Sequence, residues 1–176
     1  MNKREKQLLL SAARTSIETY FSGEKMEIIE LGIRRGSFVT LQEDGELRGC
    51  IGYMTGIDDL YRQVVSLARE AAFNDYRFPP LRRDELDLIT IEISVLTEPK
   101  AIDSLQSFKL GEDGIIMTLN NQRAVYLPQV AIETGWNKAE LLSSLSRKAG
   151  LPPNAWQNEN ASFMTFNAEV FSESNL

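Results

Sequence analysis

An α+β fold with antiparallel pairing is predicted, and three observations carry it. Short alternating runs come in pairs joined by tight turns, as at Glu43-Asp44-Gly45 and Asn120-Asn121. Stretches with apolar residues at steps of three and four stand between those pairs, and regular strand-helix-strand crossovers do not recur. The length of 176 residues, 43% of them hydrophobic, is enough to bury a core without disulfide or metal staples. At roughly 150 residues per domain, a single domain over residues 1–176 is expected. The alternating order of segments is compatible with a duplicated α/β unit.

Each element has its own signal. Residues 3–22 read as a helix, with Leu9, Ala13, Ile17, Tyr20 and Phe21 on one face and Gly23 as its stop. Residues 37–42 and 46–53 form a hairpin. Residues 59–72 form a second helix, striped by Leu60, Val64, Leu67, Ala68 and Ala71, with Asp58 as the expected N-cap. The clearest strand is 88–96: Ile89, Ile91, Ile93 and Val95 line one face, and Thr90, Glu92, Ser94 and Leu96 the other. Pro99 closes it. Residues 115–119 and 123–127 make a second hairpin. A third helix over 138–149 is capped by Asn137, has Glu140 in the capping-box position and stops at Gly150 before Pro152-Pro153. One last strand is expected where Met164, Phe166, Ala168 and Val170 alternate with Phe163, Thr165, Asn167 and Glu169.

Composition excludes several chemistries. One cysteine and no histidine leave no intramolecular disulfide, no Cys/His zinc site, no Ser-His-Asp or Cys-His catalysis and no imidazole pH switch. No metal or cofactor is therefore expected. No apolar run approaches the ~18 residues of a membrane span, and the charged start lacks a signal-peptide core. A soluble, cytoplasmic protein with a reduced thiol is expected. The net charge of −6 disfavours broad binding to a phosphate backbone, which needs a basic stripe. The doublets Arg34-Arg35 and Arg82-Arg83 are the local exceptions. They read first as solvated surface residues, and second as a small anion or RNA contact.

The first hairpin holds the one cysteine. A two-residue turn at Asp44-Gly45 would set Glu43 against Glu46, and like charges directly opposite are unfavourable. A three-residue loop with Gly45 as a bulge residue avoids that. It pairs Leu41 with Leu47, Val39 with Gly49, Thr40 with Arg48 and Phe38 with Cys50. In that register Leu47, Gly49, Ile51 and Tyr53 face the core, while Arg48, Cys50 and Gly52 face away. Arg48 and Cys50 then project together, about 6.5–7 Å apart at ~3.3 Å per residue, and the nearby cation favours a thiolate. Gly49 and Gly52 leave room for a ligand or a bulge. The plainer alternative is a cysteine that packs as a small apolar residue, beside glycines that serve only the strand exit.

Residues 47–52 read LRGCIG, and this hexapeptide resembles the hallmark of the AMMECR domain family. Other segments fit in order: Phe38-Val39-Thr40-Leu41; Ala71 to Leu81 with its Asp75, Arg77-Phe78 and Pro80; Glu92 to Leu96; Leu127-Pro128-Gln129-Val130-Ala131; Gly135-Trp136; and Lys148-Ala149-Gly150-Leu151. The likeness runs over roughly residues 5–171. Tyr76 stands where a proline is common, and residues 121–124 are not glycine-rich. The resemblance implies antiparallel sheets with packed helices, duplicated β-α-β-β units, a larger and a smaller lobe, and the hexapeptide near a cleft. It also implies association with a Memo-like protein and a radical S-adenosylmethionine protein, in RNA or metabolite modification.

Laid over those segments, the candidate site comprises Cys50, Arg48 and Glu92 as catalytic residues. Gly49, Ile51, Gly52, Asp75, Arg77, Phe78 and Gln129 are its ligand-binding residues. In an enzyme, Cys50 is the nucleophile, Arg48 clamps an anion, and Glu92 or Asp75 replaces the absent histidine as acid or base. In a binding module, Arg48 and Arg77 clamp a small anionic ligand or a partner's chain. In a scaffold, the surface docks the partner proteins. Each polar residue also has a structural alternative: a helix-ending Asp75–Arg77 salt bridge, a solvated Glu92, and Gln129 as a cap on a short turn over 130–134.

Overall fold

The computed structural model describes residues 1–176 and divides them into two compact units. The larger unit comprises residues 1–97 and 168–176, and the smaller one residues 98–167.

The larger unit begins with α1 (Lys3–Ser22). Asn2 and Glu5 close a reciprocal capping box at its start, and Gly23 turns left-handed at its end (φ 74°). The hairpin β1 (Ser37–Glu43) and β2 (Glu46–Tyr53) leads into α2 (Leu60–Phe73). A short 3-10 turn, Arg83–Glu85, precedes β3 (Ile89–Leu96), and β8 (Ala168–Ser172) completes a sheet ordered β2-β1-β3-β8. All pairings are antiparallel, and β2 is an edge. Val39, Leu41, Ile91, Ile93 and Val95 are fully buried against Leu9, Ala13 and Ile17 of α1 and Val64, Leu67 and Ala68 of α2. The odd-numbered residues of β1 and β3 therefore face the helices, as their alternation predicts.

The smaller unit is built from β4 (Lys100–Ile102), β5 (Gly114–Leu119), β6 (Gln122–Tyr126), α3 (Gln129–Thr134), α4 (Lys138–Lys148) and β7 (Ser162–Phe166). Its sheet order is β4-β7-β5-β6, and α4 buries Leu141, Leu142 and Leu145 against Ile115, Met117 and Leu119. Asn120 and Asn121 both take positive φ (51° and 62°), the signature of a two-residue hairpin turn.

The units repeat one plan. A hairpin is followed by a helix, then by a strand that pairs with the first strand of the hairpin. Read from the second hairpin strand, the repeats are β2-α2-β3-β4 and β6-α4-β7-β8, two β-α-β-β units. The last strand of each repeat joins the sheet of the other: β4 pairs with β7, and β8 with β3. The continuous alternation over 163–170 is thus two strands broken at Asn167, not one. Alternation reports which faces are apolar; it does not report which partner a strand has.

Two smaller expectations are corrected. The N-cap of α2 is Asp59, not Asp58: its carboxylate accepts from the backbone N–H groups of Tyr61, Leu31 and Gly32. The cap thereby also ties down the segment before β1. Those donors hold Asp59 below its ordinary pKa although burial pushes the other way. Gln129 does not cap α3; it is the helix's first residue, after Pro128. No helix is long and apolar enough to cross a membrane.

Candidate functional site

The hairpin register differs from the expected one. Asp44 (φ 51°) and Gly45 (φ 82°) form a two-residue turn, and Glu43 does face Glu46. At an exposed hairpin end this repulsion is screened by solvent, and the turn preference of Asp-Gly prevails. The irregularity sits further in. Gln42 pairs with Leu47 and Leu41 with Gly49, so Arg48 is an extra residue, a β-bulge. Beyond the bulge, Thr40 faces Cys50, Val39 faces Ile51 and Phe38 faces Gly52. Leu47 consequently leaves the core face and is 44% exposed.

The bulge changes the role of Arg48. The residue is 8% exposed, and its guanidinium donates from Nε and Nη2 to both carboxylate oxygens of Glu85, at 2.9 and 3.2 Å. That bond holds the Glu85 carboxyl below its usual range, against burial. The Nη1 of Arg48 is buried without a partner. Arg48 is therefore committed to an internal ion pair and does not project beside Cys50 as an open anion clamp.

Cys50 sits on the face turned away from α1 and α2, as expected, and is half-buried. The Thr40 hydroxyl donates to its Sγ at 3.2 Å. Because β2 is an edge strand, the outward N–H and C=O of Cys50 have no strand to pair with. The loop after α2 supplies the partners: Asp75 Oδ2 accepts from the Cys50 N–H at 2.9 Å, and Arg77 Nη2 donates to its carbonyl at 3.0 Å. Asp75 and Arg77 are also joined by a fork of 2.9 and 2.7 Å, with Asp75 3% exposed. Arg77's hydrogen bonds hold the Asp75 carboxyl far below its usual range, and the Cys50 N–H adds to this. In return, the Asp75 carboxylate raises the pKa of Arg77. An aspartate held ionised this firmly is unsuited to proton transfer near neutrality.

The glycines serve packing. A Cβ on Gly49 would lie 2.2 Å from the Ala71 carbonyl oxygen of α2, and one on Gly52 would lie 2.2 Å from the Phe38 ring. The close approach they permit is that of the protein's own backbone and ring. Ile51 packs against the helix-side core. The Phe78 ring lies 5.5 Å from the Arg77 guanidinium and supports it by cation–π contact.

Glu92 lies on the Cys50 face, but β1 separates its strand from β2. The ladder runs Cys50, Thr40, Glu92, Ser172 across four strands. At ~4.8 Å per strand, Glu92 stands about 10 Å from Cys50 along the row. It is half-buried, and its carboxylate makes no hydrogen bond or ion pair, with Arg48 or any other group. Gln129 is an exposed residue of the smaller unit. Tyr76, between the clamp residues, is 94% exposed. Arg35 is bound to the Leu96 carbonyl and to Glu169, and Arg82 to Asp84, so only one member of each doublet stays unpaired. No group of three or more acidic or thiol side chains is placed to hold a metal ion.

Two residues escaped sequence reasoning. Glu85 had no motif; it ends the 3-10 turn Arg83–Glu85, twelve residues past the end of α2. Thr40 was legible in principle, because the Asp44-Gly45 turn signal followed by one extra residue brings it opposite Cys50.

A family model, AMMECR1, matches residues 10–171. A protein of Methanocaldococcus jannaschii is 40% identical over 173 residues, which are 92% of this chain and 86% of that one. A protein of Methanopyrus kandleri is 40% identical over 183 residues, covering 96% of this chain and 88% of its own. Among solved structures, the crystal structure of an uncharacterized protein from Pyrococcus horikoshii is similar with a TM-score of 0.75 and 36% identity. It covers 95% of this chain and 90% of its own. Family model, relatives and solved structure agree: the chain belongs to the AMMECR1 family.

Proposed function

We propose that the protein is a thiol-dependent enzyme acting on a small molecule, with Cys50 as its nucleophile. One observation carries this. The outward N–H and C=O of Cys50 are both held by the Asp75–Arg77 pair, whose carboxylate is buried, while the residue itself is half-buried with its sulfur beside the Thr40 hydroxyl. A nucleophile needs such fixed placement, because reaction rates fall steeply with misplacement of the attacking atom. The Thr40 hydroxyl, donating to the sulfur, fixes the direction in which the thiol points. Glu92 is the carboxylate left free for proton transfer, since Asp75 is locked as an anion. Arg48 and Glu85 act as positioning residues that hold the bulge before Cys50. The family resemblance supports placing this activity beside a Memo-like protein and a radical S-adenosylmethionine protein, in RNA or metabolite modification. Co-purification with those two proteins checks that association.

The second reading is a binding module in which Cys50 only packs. The same Thr40 hydrogen bond favours it, because a packed thiol is also satisfied by one.

Alkylation separates the two. With a single cysteine in the chain, every iodoacetamide adduct reports on Cys50. The enzyme reading expects the folded protein to label faster than glutathione at neutral pH, and more slowly once Asp75→Ala loosens the grip. A thiol that labels only after unfolding leaves the binding module standing.

A further inference from the structure

We infer that the Cys50 face takes a substrate bearing a positive charge, a protonated amine or similar cation, set about 10 Å from the atom that Cys50 attacks. This rests on the reading of Cys50 as a reacting thiol and adds the charge class of its substrate.

An anionic substrate needs a guanidinium or ammonium not already satisfied. Arg48 is forked onto Glu85, and its one unpartnered nitrogen, Nη1, is buried away from the surface. Arg77 is neutralised by its fork with Asp75 and spends a further bond on the Cys50 carbonyl. Arg35, at the entry to β1, is held by the Leu96 carbonyl and Glu169. On the face itself, Gln42, Thr90 and Ser94 are neutral. Glu92 is the one ionisable residue there besides Cys50, and nothing in the protein pairs with it.

A half-buried carboxylate without a partner loses solvation and recovers nothing inside the fold. A cation brought by a ligand would restore that loss, and an anion would add repulsion. The strand order does not demand the charge. At the matching position of the smaller unit, opposite Ile116 on β5 as Glu92 is opposite Thr40 on β1, stands Met164. Glu92 also lies in one row with the sulfur, so a single extended molecule spans both.

Three methanethiosulfonate reagents test this, carrying a trimethylammonium, a neutral methyl or a sulfonate group. In each, the thiolate attacks the sulfenyl sulfur, a disulfide forms and methanesulfinate leaves. Rates on the folded protein are divided by those on glutathione. The cationic reagent is expected to outpace the neutral one by about tenfold, the size of one charge acting over ~10 Å near a protein surface, and the anionic one by more. Glu92→Gln should remove most of that preference, and molar salt should shrink it. Glu92→Met, which copies the matching residue of the other repeat, is the second variant should Gln perturb folding. A preference that survives both substitutions reflects only the overall negative charge and overturns the inference. So does an anionic reagent that reacts as fast as the cationic one. Uniformly slow reaction with all three, relieved by unfolding, overturns the reactive thiol itself.

Discussion

The two repeats place different chemistry on the same lattice. In the larger unit one row across the sheet reads Cys50, Thr40, Glu92, Ser172. Counted from the hairpin turn, the matching row of the smaller unit reads Val125, Ile116, Met164, Ala101. The helix-side rows match in kind: Leu41 and Met117 are equivalent, and both are fully buried. Even the edge carbonyls are treated alike, with Arg77 donating to Cys50 and Lys148 to Val125 at 2.8 Å. Two features belong to the larger unit alone. One is the bulge at Arg48, where the second hairpin runs regular from Leu119–Gln122 to Ile115–Tyr126. The other is the carboxylate of Asp75 on the edge N–H. The apolar row shows what the architecture tolerates as plain packing; the polar row, the bulge and the clamp together depart from it. Departures of this kind concentrate at functional sites.

The largest test of this contrast is the bulge. Glu85→Ala leaves the Arg48 guanidinium buried and unpaired, and the fold should lose about 3–5 kcal/mol, measured by urea unfolding. A loss under 1 kcal/mol would mean that the pair does not hold the bulge.

Matched positions in the two rows come next. Ile116 is 3% exposed, and Ile116→Ala should cost about 2–5 kcal/mol. Its counterpart change Thr40→Val should cost under about 1 kcal/mol while altering Cys50 labelling. Equal costs at both sites would erase the distinction between a packing row and a working row.

Acid sharpens the difference between the clamps. Asp75 has a folded pKa below its unfolded value of about 3.9. Its stabilisation is therefore complete above that unfolded value and is lost as pH falls towards the lower folded one. Urea midpoints of the native protein should drop steeply below pH 4. The Asp75→Asn variant should start lower at pH 7 and fall less steeply. Parallel acid limbs in the two proteins would contradict the clamp's role.

The smallest effect is expected at Leu47. On the exposed side of the bulge, Leu47→Ser should change stability by no more than about 0.5 kcal/mol. In the register with the bulge at Gly45, which places it in the core, it would cost several times that. Thermal unfolding distinguishes the two.

Much of the fold was legible because its signals are local. The Asn137–Glu140 capping box, the stripes of α1 and α2 and the strict alternation of β3 each lie within one short window of sequence. The face of Cys50 came out as expected because one extra residue, whether at Gly45 as expected or at Arg48 as found, shifts the alternation by the same single step. The position of the bulge was not legible. Two weak terms competed at the turn, like-charge repulsion and Asp-Gly geometry, and solvent screening at an exposed end settled the matter. Arg48 was read as a free clamp because its partner Glu85 lies far along the chain, on a 3-10 turn with no motif.

From the chain alone come the element types, the apolar faces, the kinship and the presence of a lone thiol on a sheet face without imidazole. These depend on spacing and residue chemistry within a few residues. Three things waited on the folded protein: that β4 and β8 are each added to the other repeat's sheet, that Arg48 is spent on Glu85, and that Asp75 and Arg77 hold the edge beside Cys50. All three join residues distant in sequence, and such contacts are selected by whole-core packing and by the need to satisfy buried polar groups, neither of which leaves a periodic trace.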